Sequence, residues 1–187
     1  MKRFLLLIAV MASVIFLAEA QSEKSKNKKS KTAVGKKNKP VAKRKITTFI
    51  LTRHAEKDDD GTKNPNLSAV GIKRAFRLSK VLSMTKVDKV ISTPYKRTMQ
   101  TMKHVARDAE VEIEPYDYKD KDLLKNLLKK SKGQTIVISG HSNTTPALVN
   151  KLIGTEKYQQ LEENDYDKIF IVSCTRIGNC SEVVIEY

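Results

Sequence analysis

Two short apolar runs, each ending at a histidine, are the feature that most constrains the fold. Ile46 to Leu51 is β-branched and apolar and contains neither Gly nor Pro, which predicts a buried strand that stops at Thr52-Arg53-His54. Gln134 to Ser139 repeats the pattern and stops at Gly140-His141-Ser142. If the two strands are parallel neighbours, both imidazoles lie at one edge of the sheet. Ligands of open α/β sheets bind at that edge, outside the carboxyl ends of the strands.

The second histidine is followed by a segment that predicts the start of a helix. Pro146 stands where a first helical residue is expected, with Thr145 as the N-cap. A helix N-terminus offers a positive dipole end and free N–H groups. Together with Arg53 and the two histidines, it would form a cationic site whose natural ligand is an anion such as phosphate.

The remainder of the chain from Ile46 alternates helix-like and strand-like segments. Helical spacing predicts helices over residues 68–83, 95–107, 120–130 and 146–153, and apolar runs predict strands over 87–92 and 111–116 and a terminal hairpin of 167–174 and 180–187. This alternation predicts an α/β three-layer sandwich, with a mostly parallel central sheet, helices on both faces and a C-terminal β-hairpin. On the first helix the spacing predicts these inward positions: Ile72, Ala75, Phe76, Ser79 and Leu82.

Residues 1–20 have the composition of a secretory signal peptide. Lys2 and Arg3 precede an apolar run over residues 4–18, and Ala18-Glu19-Ala20 fits the small-residue cleavage rule. The run is short for a membrane span, although an uncleaved N-terminal anchor is the alternative. We expect an exported protein, periplasmic or secreted.

Residues 21–45 form a second, strongly basic segment. It holds eleven Lys or Arg residues and one acid, so it carries +10 of the +15 of the whole chain. Such a composition cannot bury a core and predicts a disordered linker. It either tethers the protein to an anionic surface or polymer or is a solvated spacer. Residues 46–187, with a net charge of +4, form the predicted folded domain, for which we expect a monomer and no specific nucleic-acid partner.

Two cysteines flank a short loop near the C-terminus. Cys174 and Cys180 either form a disulfide across the predicted hairpin, as an exported protein permits, or remain as two reduced thiols. Neither has His or acidic neighbours at metal-ligand spacing. His104 falls off the apolar stripe of its helix and is predicted to be a surface residue.

A third polar motif follows the predicted strand over residues 87–92. Ser92 to Thr101 reads S-T-P-Y-K-R-T-M-Q-T, which places Arg97 in the first turn of a helix at the same sheet edge. An arginine near a helix N-terminus opposes the helix dipole, so this position is unfavourable unless an anion is bound there.

The three motifs together resemble the histidine phosphatase superfamily, in its branch of small bacterial phosphatases with the phosphoglycerate-mutase-like fold. They are R-H-A-E-K after the first strand, S-T-P-Y-K-R-T-M-Q-T after the second, and G-H-S-N-T-T-P after a later one. The resemblance extends over essentially all of residues 46–187. Each motif alone is weak, but their order and their positions at strand ends are specific.

The resemblance implies catalytic roles for named residues. His54 would be the nucleophile that becomes a phosphohistidine, and Arg53, Arg97 and His141 would neutralise the phosphoryl oxygens, so that neither a metal nor another cofactor is required. Asp117, just after the strand over 111–116, would be the general acid, with Asp120 as the alternative. Further substrate-binding residues would be Glu56, Lys57 and Ser142, although Glu56 and Lys57 are equally consistent with a salt bridge on a loop.

The resemblance also implies a function. It is that of an exported phosphatase acting on a phosphomonoester or a phosphohistidine, in a small molecule or a phosphoprotein, through phospho-His54. One alternative is a non-catalytic phosphate-binding module anchored by its basic segment. Another is a phosphoglycerate-mutase-type phosphotransferase, disfavoured because the segment between Arg97 and His141 lacks an insertion that would enclose a phosphosugar.

Overall fold

The computed structural model describes residues 45–187, which form strands and helices in alternation. The elements are β1 (Thr47–Arg53), α1 (Ala69–Val81), β2 (Lys89–Ser92), α2 (Lys96–Asp108), β3 (Ile113–Pro115), α3 (Leu123–Lys130), β4 (Thr135–Gly140), α4 (Thr144–Ile153), β5 (Lys168–Arg176) and β6 (Asn179–Glu186). The predicted signal peptide and all but the last residue of the predicted basic linker lie outside the described residues. Within residues 45–187, no helix is long and apolar enough to span a bilayer.

The six strands form one sheet in the order β3-β2-β4-β1-β5-β6. β1, β2, β3 and β4 are parallel to one another, whereas β5 and β6 run antiparallel as a C-terminal hairpin. The predicted α/β architecture with a mostly parallel sheet and a terminal hairpin is therefore confirmed.

The register between β1 and β4 brings the two histidine motifs together. Arg53 pairs with Gly140, and the N–H of His54 donates to the carbonyl of Gly140 at 2.9 Å. His54 and His141 therefore leave adjacent strands at the same edge of the sheet, as the sequence predicted.

Two apolar clusters cover the two faces of the sheet, because successive residues of a strand point to opposite faces. Phe49 and Leu51 of β1 face α3 and α4, in a cluster that includes Leu124 and Leu148. Ile50 faces α1 and α2, in a cluster whose other members include Leu78, Met102 and Val105. The helices thus lie two to a face, which positions the N-termini of α2 and α4 at the edge with the histidines.

The orientation of α1 confirms three of its five predicted inward positions, because Ala75, Ser79 and Leu82 are buried, but two are wrong. Ile72 and Phe76 are 54% and 45% exposed, and the buried positions of the helix are Gly71, Ala75, Leu78 and Ser79. At Gly71 an added Cβ would overlap the backbone carbonyl of Glu56. The helix therefore packs closely against the backbone of Glu56 at Gly71. This close approach turns Ile72 and Phe76 toward solvent.

Several predicted element boundaries were off by one to three residues, such as the start of α3 at Leu123 rather than Asp120, and two of them have clear local reasons. β3 begins at Ile113 rather than Val111, because Val111 donates its N–H to Ala106 and so ends α2 instead of pairing with β2. α4 begins at Thr144, with Asn143 as N-cap, so the predicted Thr145–Pro146 start is two residues too late. A proline in the first turn of a helix is tolerated because the N–H groups there have no partner within the helix.

The two cysteines are joined. Cys174 of β5 lies opposite Cys180 of β6, and the two form a disulfide across the hairpin. The sequence left this pairing open.

Candidate active site

His54 lies immediately after β1 and is held with one ring nitrogen free. It is only 4% exposed, and its Nδ1 lies 2.7 Å from the carbonyl oxygen of Ala55. That oxygen can only accept, so Nδ1 carries the hydrogen and Nε2 keeps its lone pair. Thr101 supports this arrangement: its hydroxyl accepts from the N–H of Ala55 at 2.9 Å and donates to the carbonyl of Arg97 at 2.7 Å.

The environment of His54 keeps its imidazole neutral. Burial lowers the pKa of His54 to about 3, and the nearby positive charges of Arg97 and Arg53 act in the same direction, against the hydrogen bond to Ala55. A neutral imidazole with a free Nε2 is the form that attacks phosphorus.

His141 faces His54 across the site, with ring centroids 5.4 Å apart. Its Nε2 lies 3.1 Å from the hydroxyl of Thr93, and its Nδ1 lies 3.4 Å from Nη2 of Arg97. Burial, followed by the charges of Arg97 and Arg53, lowers the pKa of His141 to about 4. An approaching phosphate dianion opposes this shift, because a negative charge favours the protonated imidazole.

Arg97 occupies the first turn of α2, as predicted. Its guanidinium lies 4.8 Å from the centroid of the Tyr95 ring. Its Nε is buried and has no hydrogen-bond partner among the described residues. Burial lowers the pKa of Arg97, but a guanidinium remains charged at any physiological pH. The arginine therefore presents positive charge and a spare donor where the α2 dipole also favours an anion.

Arg53 is the last residue of β1 and is 3% exposed. Its Nη1 donates to the carbonyls of Glu162 and Glu163, at 2.7 and 2.9 Å, and its guanidinium stacks over the ring of Tyr166 at 4.1 Å. Its Nε is buried without a partner within the described part of the chain. Its Nη2 also lies 3.8 Å from the exposed carboxylate of Glu163, so Arg53 anchors the loop before β5 while its Nε remains available to the site.

These side chains open onto one cavity of about 570 Å³. Its floor is formed by the two arginines and two histidines just described. Among the described residues, the lining is Arg53, His54, Lys57, Asp58, Asp59, Gly61, Thr62, Lys63, Pro65, Arg97, His141, Ser142, Asn143 and Glu163. We call this cavity the phosphate pocket. Besides Arg53, Arg97 and His141, the predicted substrate-binding residues Lys57 and Ser142 also line this pocket.

Glu56 does not line the phosphate pocket, contrary to the prediction. Its carboxylate accepts from Nε of Arg74 at 2.8 Å and forms an ion pair with Nη2 of the same arginine at 2.8 Å. Arg74 lies on α1 and also donates to the carbonyl of Tyr187. The open alternative, a salt bridge on the loop, therefore describes Glu56, because the α1 guanidinium draws the carboxylate away from the pocket.

Asp117 and Asp120 also lie outside the lining of the phosphate pocket. Both are exposed, and each closes a local turn: Asp117 accepts from the N–H of Lys119 at 2.8 Å, and Asp120 from the N–H of Asp122 at 2.9 Å. Asp117 instead lines a neighbouring groove next to Tyr95. The acid role of Asp117 remains a prediction, for a residue that lines the neighbouring groove rather than the phosphate pocket.

Several residues at the site were not anticipated from the sequence. Tyr166 stacks on Arg53, Thr93 holds His141, and Asp58, Asp59 and Glu163 add carboxylates to the pocket mouth. Thr93 lies within a strand-end motif and the Asp58-Asp59 pair directly follows one. Their position in the sequence could therefore have predicted that they lie at the site. Tyr166 and Glu163 lie in a loop without a motif and are recruited only by the position of Arg53.

Residues 45–187 contain no group of three or more His, Cys, Asp or Glu side chains arranged to hold a metal ion. His104, predicted on the surface, is partly exposed on α2 and packs its ring edge against Phe76, with centroids 5.6 Å apart. It lies outside the lining of the phosphate pocket.

The fold and the pocket define an α/β protein with a cationic site, at the carboxyl ends of parallel strands, suited to a phosphoryl group. Residues 49–117 match the model of the histidine phosphatase superfamily (branch 1), which confirms the resemblance seen in the sequence motifs. The match and the site geometry support a phosphatase.

Solved structures with the same fold include several phosphatases. The mycobacterial glucosyl-3-phosphoglycerate phosphatase aligns with a TM-score of 0.63 at 10% identity, covering 76% of this chain and 98% of that one. The protein histidine phosphatase SixA in complex with tungstate aligns with a TM-score of 0.61 at 17% identity, covering 74% and 96%. A phosphoserine phosphatase mutant from Entamoeba histolytica in complex with phosphoserine gives 0.57 at 17% identity, covering 73% and 95%. No curated protein matches the chain.

Proposed function

We propose that the protein is an exported phosphatase that hydrolyses a phosphomonoester or a phosphohistidine through a covalent phosphohistidine on His54. The observation that carries this proposal is the state of His54: its Nδ1–H is bound to Ala55, its Nε2 has no hydrogen-bond partner within residues 45–187, and Arg53, Arg97 and His141 line the same pocket.

The first step transfers the phosphoryl group to the protein. Nε2 of His54 forms a bond to phosphorus, the bond between phosphorus and the leaving oxygen or nitrogen breaks, and that atom takes a proton. Arg53, Arg97 and His141 stabilise the negative charge on the phosphoryl oxygens, which supplies the electrostatic part of catalysis without a metal ion.

The second step returns His54 to its free form. Water attacks phosphorus, the bond from phosphorus to Nε2 breaks, and a base takes the proton of the water. Asp117 is the proposed acid of the first step and base of the second. It lies at the end of β3, in the groove that borders the pocket on the Tyr95 side.

The nucleophile is tested by trapping the intermediate. Brief incubation with a phosphate-labelled monoester and denaturation in alkali should leave acid-labile label on His54. His54→Asn keeps an amide that can donate to Ala55, so it should fold and bind phosphate but lose turnover by at least roughly 10³-fold. His104→Asn, which changes a histidine outside the pocket, should be unaffected. Label on another residue, or full turnover by His54→Asn, would contradict the mechanism.

Export is the part of the proposal that rests mainly on the sequence. Residues 1–20 have the pattern of a signal peptide, and the disulfide between Cys174 and Cys180 agrees with an oxidising compartment. Fractionation of the host cells, with N-terminal sequencing of the product, tests it. A cytosolic product that starts at Met1 would refute it.

The location of Asp117 favours a second candidate, a phosphate-binding module without turnover. Because the lining of the phosphate pocket does not include Asp117, the proton for an alcohol leaving group must come from its border. Calorimetry with inorganic phosphate and a screen of phosphorylated compounds separate the two candidates. Binding without release of phosphate from any compound would support the module.

A further inference from the structure

An open apolar groove lies beside the phosphate pocket, at the carboxyl ends of β2 and β3. It consists of two cavities of about 490 and 410 Å³ that share Pro94, Tyr95 and Pro115 in their linings. Tyr118 lines the first cavity and Met99 the second. We call the surface formed by these five residues the tyrosine groove. Its walls are flat ring and pyrrolidine surfaces, in contrast to the charged lining of the phosphate pocket.

Tyr95 forms the boundary between the tyrosine groove and the phosphate pocket. Its ring meets the ring of His141 edge to face, with centroids 5.1 Å apart, and it lies under the guanidinium of Arg97. Both partners line the phosphate pocket. A phosphate held by Arg97 and His141 therefore has the tyrosine groove as its neighbour on the β2–β3 side.

The position of Asp117 indicates which part of a substrate would occupy the tyrosine groove. Asp117 lines the same cavity as Tyr95 and Tyr118. A proton donor must lie near the atom that leaves phosphorus. A leaving group whose first atom faces Asp117 therefore extends along the tyrosine groove.

We propose that the tyrosine groove binds a planar aromatic leaving group, so that the preferred substrates are aryl phosphates. This inference rests on the proposed function of the phosphate pocket. Aromatic rings pack on Tyr side chains with about 0.5–1.5 kcal/mol beyond their area of contact. Tyr118 is 40% exposed, so part of its ring is accessible to such a partner, although the Lys119 ammonium lies 5.8 Å from the ring centroid. The cavity that contains Tyr118 offers a polyhydroxylated leaving group few partners, because Asp117 is the one charged residue among the described residues that line it.

Hydrolysis of an aryl phosphate follows the same two steps through phospho-His54. Nε2 of His54 bonds to phosphorus, the bond from phosphorus to the phenolic oxygen breaks, and Asp117 protonates that oxygen. The phenol then leaves along the tyrosine groove, and water cleaves phospho-His54.

The test uses two inert phosphonates, compared at a pH at which both are dianions, so that binding is measured apart from turnover. Phenylphosphonate and methylphosphonate both present a phosphoryl group, but only the first carries a ring. By calorimetry, the wild-type protein should bind phenylphosphonate about 2- to 10-fold more tightly than methylphosphonate, the range that corresponds to the aromatic contact energy. Tyr118→Ala should remove this preference while leaving the affinity for methylphosphonate within about twofold.

Two further variants make the result specific. Tyr118→Phe keeps the ring and should keep the preference, which also guards against a folding defect in Tyr118→Ala. Phe76→Ala removes an equally exposed aromatic side chain on α1, outside the linings of both the pocket and the groove, and should change neither affinity.

The outcomes for the groove and for the proposed function are separable. Equal affinity of the two phosphonates in the wild type, or a preference that persists in Tyr118→Ala, overturns the tyrosine groove as a leaving-group site, whatever the catalytic activity. Failure to bind either phosphonate overturns both ideas. Preferential binding of phenylphosphonate without release of phosphate from any screened compound upholds the groove as a ring-binding surface and refutes the phosphatase.

Discussion

Lowering the pH should destabilise the protein through His54, by an amount that follows from its burial. The pKa of His54 is about 3 in the folded protein, compared with about 6.5 for the residue in an unfolded chain. Between these values the unfolded chain binds a proton that the folded protein does not. The free energy of unfolding therefore falls as the pH decreases from about 6.5 toward 3.

The size of this effect can be worked out for a practical pH range. From pH 8 to pH 5, protonation of the unfolded chain at His54 lowers the free energy of unfolding by about 2 kcal/mol. His141, with a pKa of about 4 for the same physical reason, contributes in the same direction. Substituting His54 removes only the contribution of His54 to the pH dependence of the free energy of unfolding.

The contribution of His54 to this pH dependence can be measured by urea unfolding. The wild type and His54→Asn are each unfolded at pH 8 and at pH 5. The wild type should lose about 2 kcal/mol more than the variant between the two pH values. In NMR, the His54 ring signals should not titrate between pH 8 and pH 5. Equal losses in both proteins, or a His54 midpoint near 6.5, would refute the argument that burial keeps this imidazole neutral.

Four other predictions follow from the site. Asp117→Asn should slow hydrolysis of an alkyl phosphate by up to roughly 10²–10⁴-fold, and that of an activated aryl phosphate far less, in steady-state assays, whereas Asp120→Asn should show no such difference. Turnover should survive EDTA, and a requirement for added divalent metal would count against the mechanism. Deleting residues 21–45 should leave turnover of a small substrate unchanged. The deletion should weaken binding to anionic vesicles, and the loss should be largest at low salt. Loss of turnover would show that this segment is part of the active site. Tyr166→Ala should raise the KM for a phosphorylated substrate by about 2- to 30-fold, because it removes the ring that stacks on Arg53. Tyr166→Phe keeps the ring and should leave the KM unchanged. Equal kinetics of the two variants would contradict this positioning role of Tyr166.

Much of the site was predictable because its residues follow strand ends. Arg53, His54 and His141 each stand directly at or after an apolar run, and parallel strands deliver such residues to one edge of a sheet. Arg97 was predictable because a cation in the first turn of a helix is unfavourable without an anion. These arguments need only strand direction and sequence order.

The predictions about neighbouring carboxylates were less successful, because a carboxylate takes the best partner within reach. Glu56 pairs with Arg74, which lies 18 residues further along the chain on α1. Asp117 closes a turn with Lys119 and faces the tyrosine groove rather than the phosphate pocket. Neither choice is visible from the spacing of the motifs.

By itself, the sequence determined the α/β architecture, the terminal hairpin and the edge of the sheet at which the histidines meet. These follow from apolar periodicity and chain direction, which are local properties. Only the tertiary structure decided that Cys174 bonds to Cys180, that α1 packs through Gly71, and that Tyr166 supports Arg53. Each depends on the distance of closest approach between segments remote in sequence or on opposite strands. Side-chain packing sets that distance, and periodicity does not encode it.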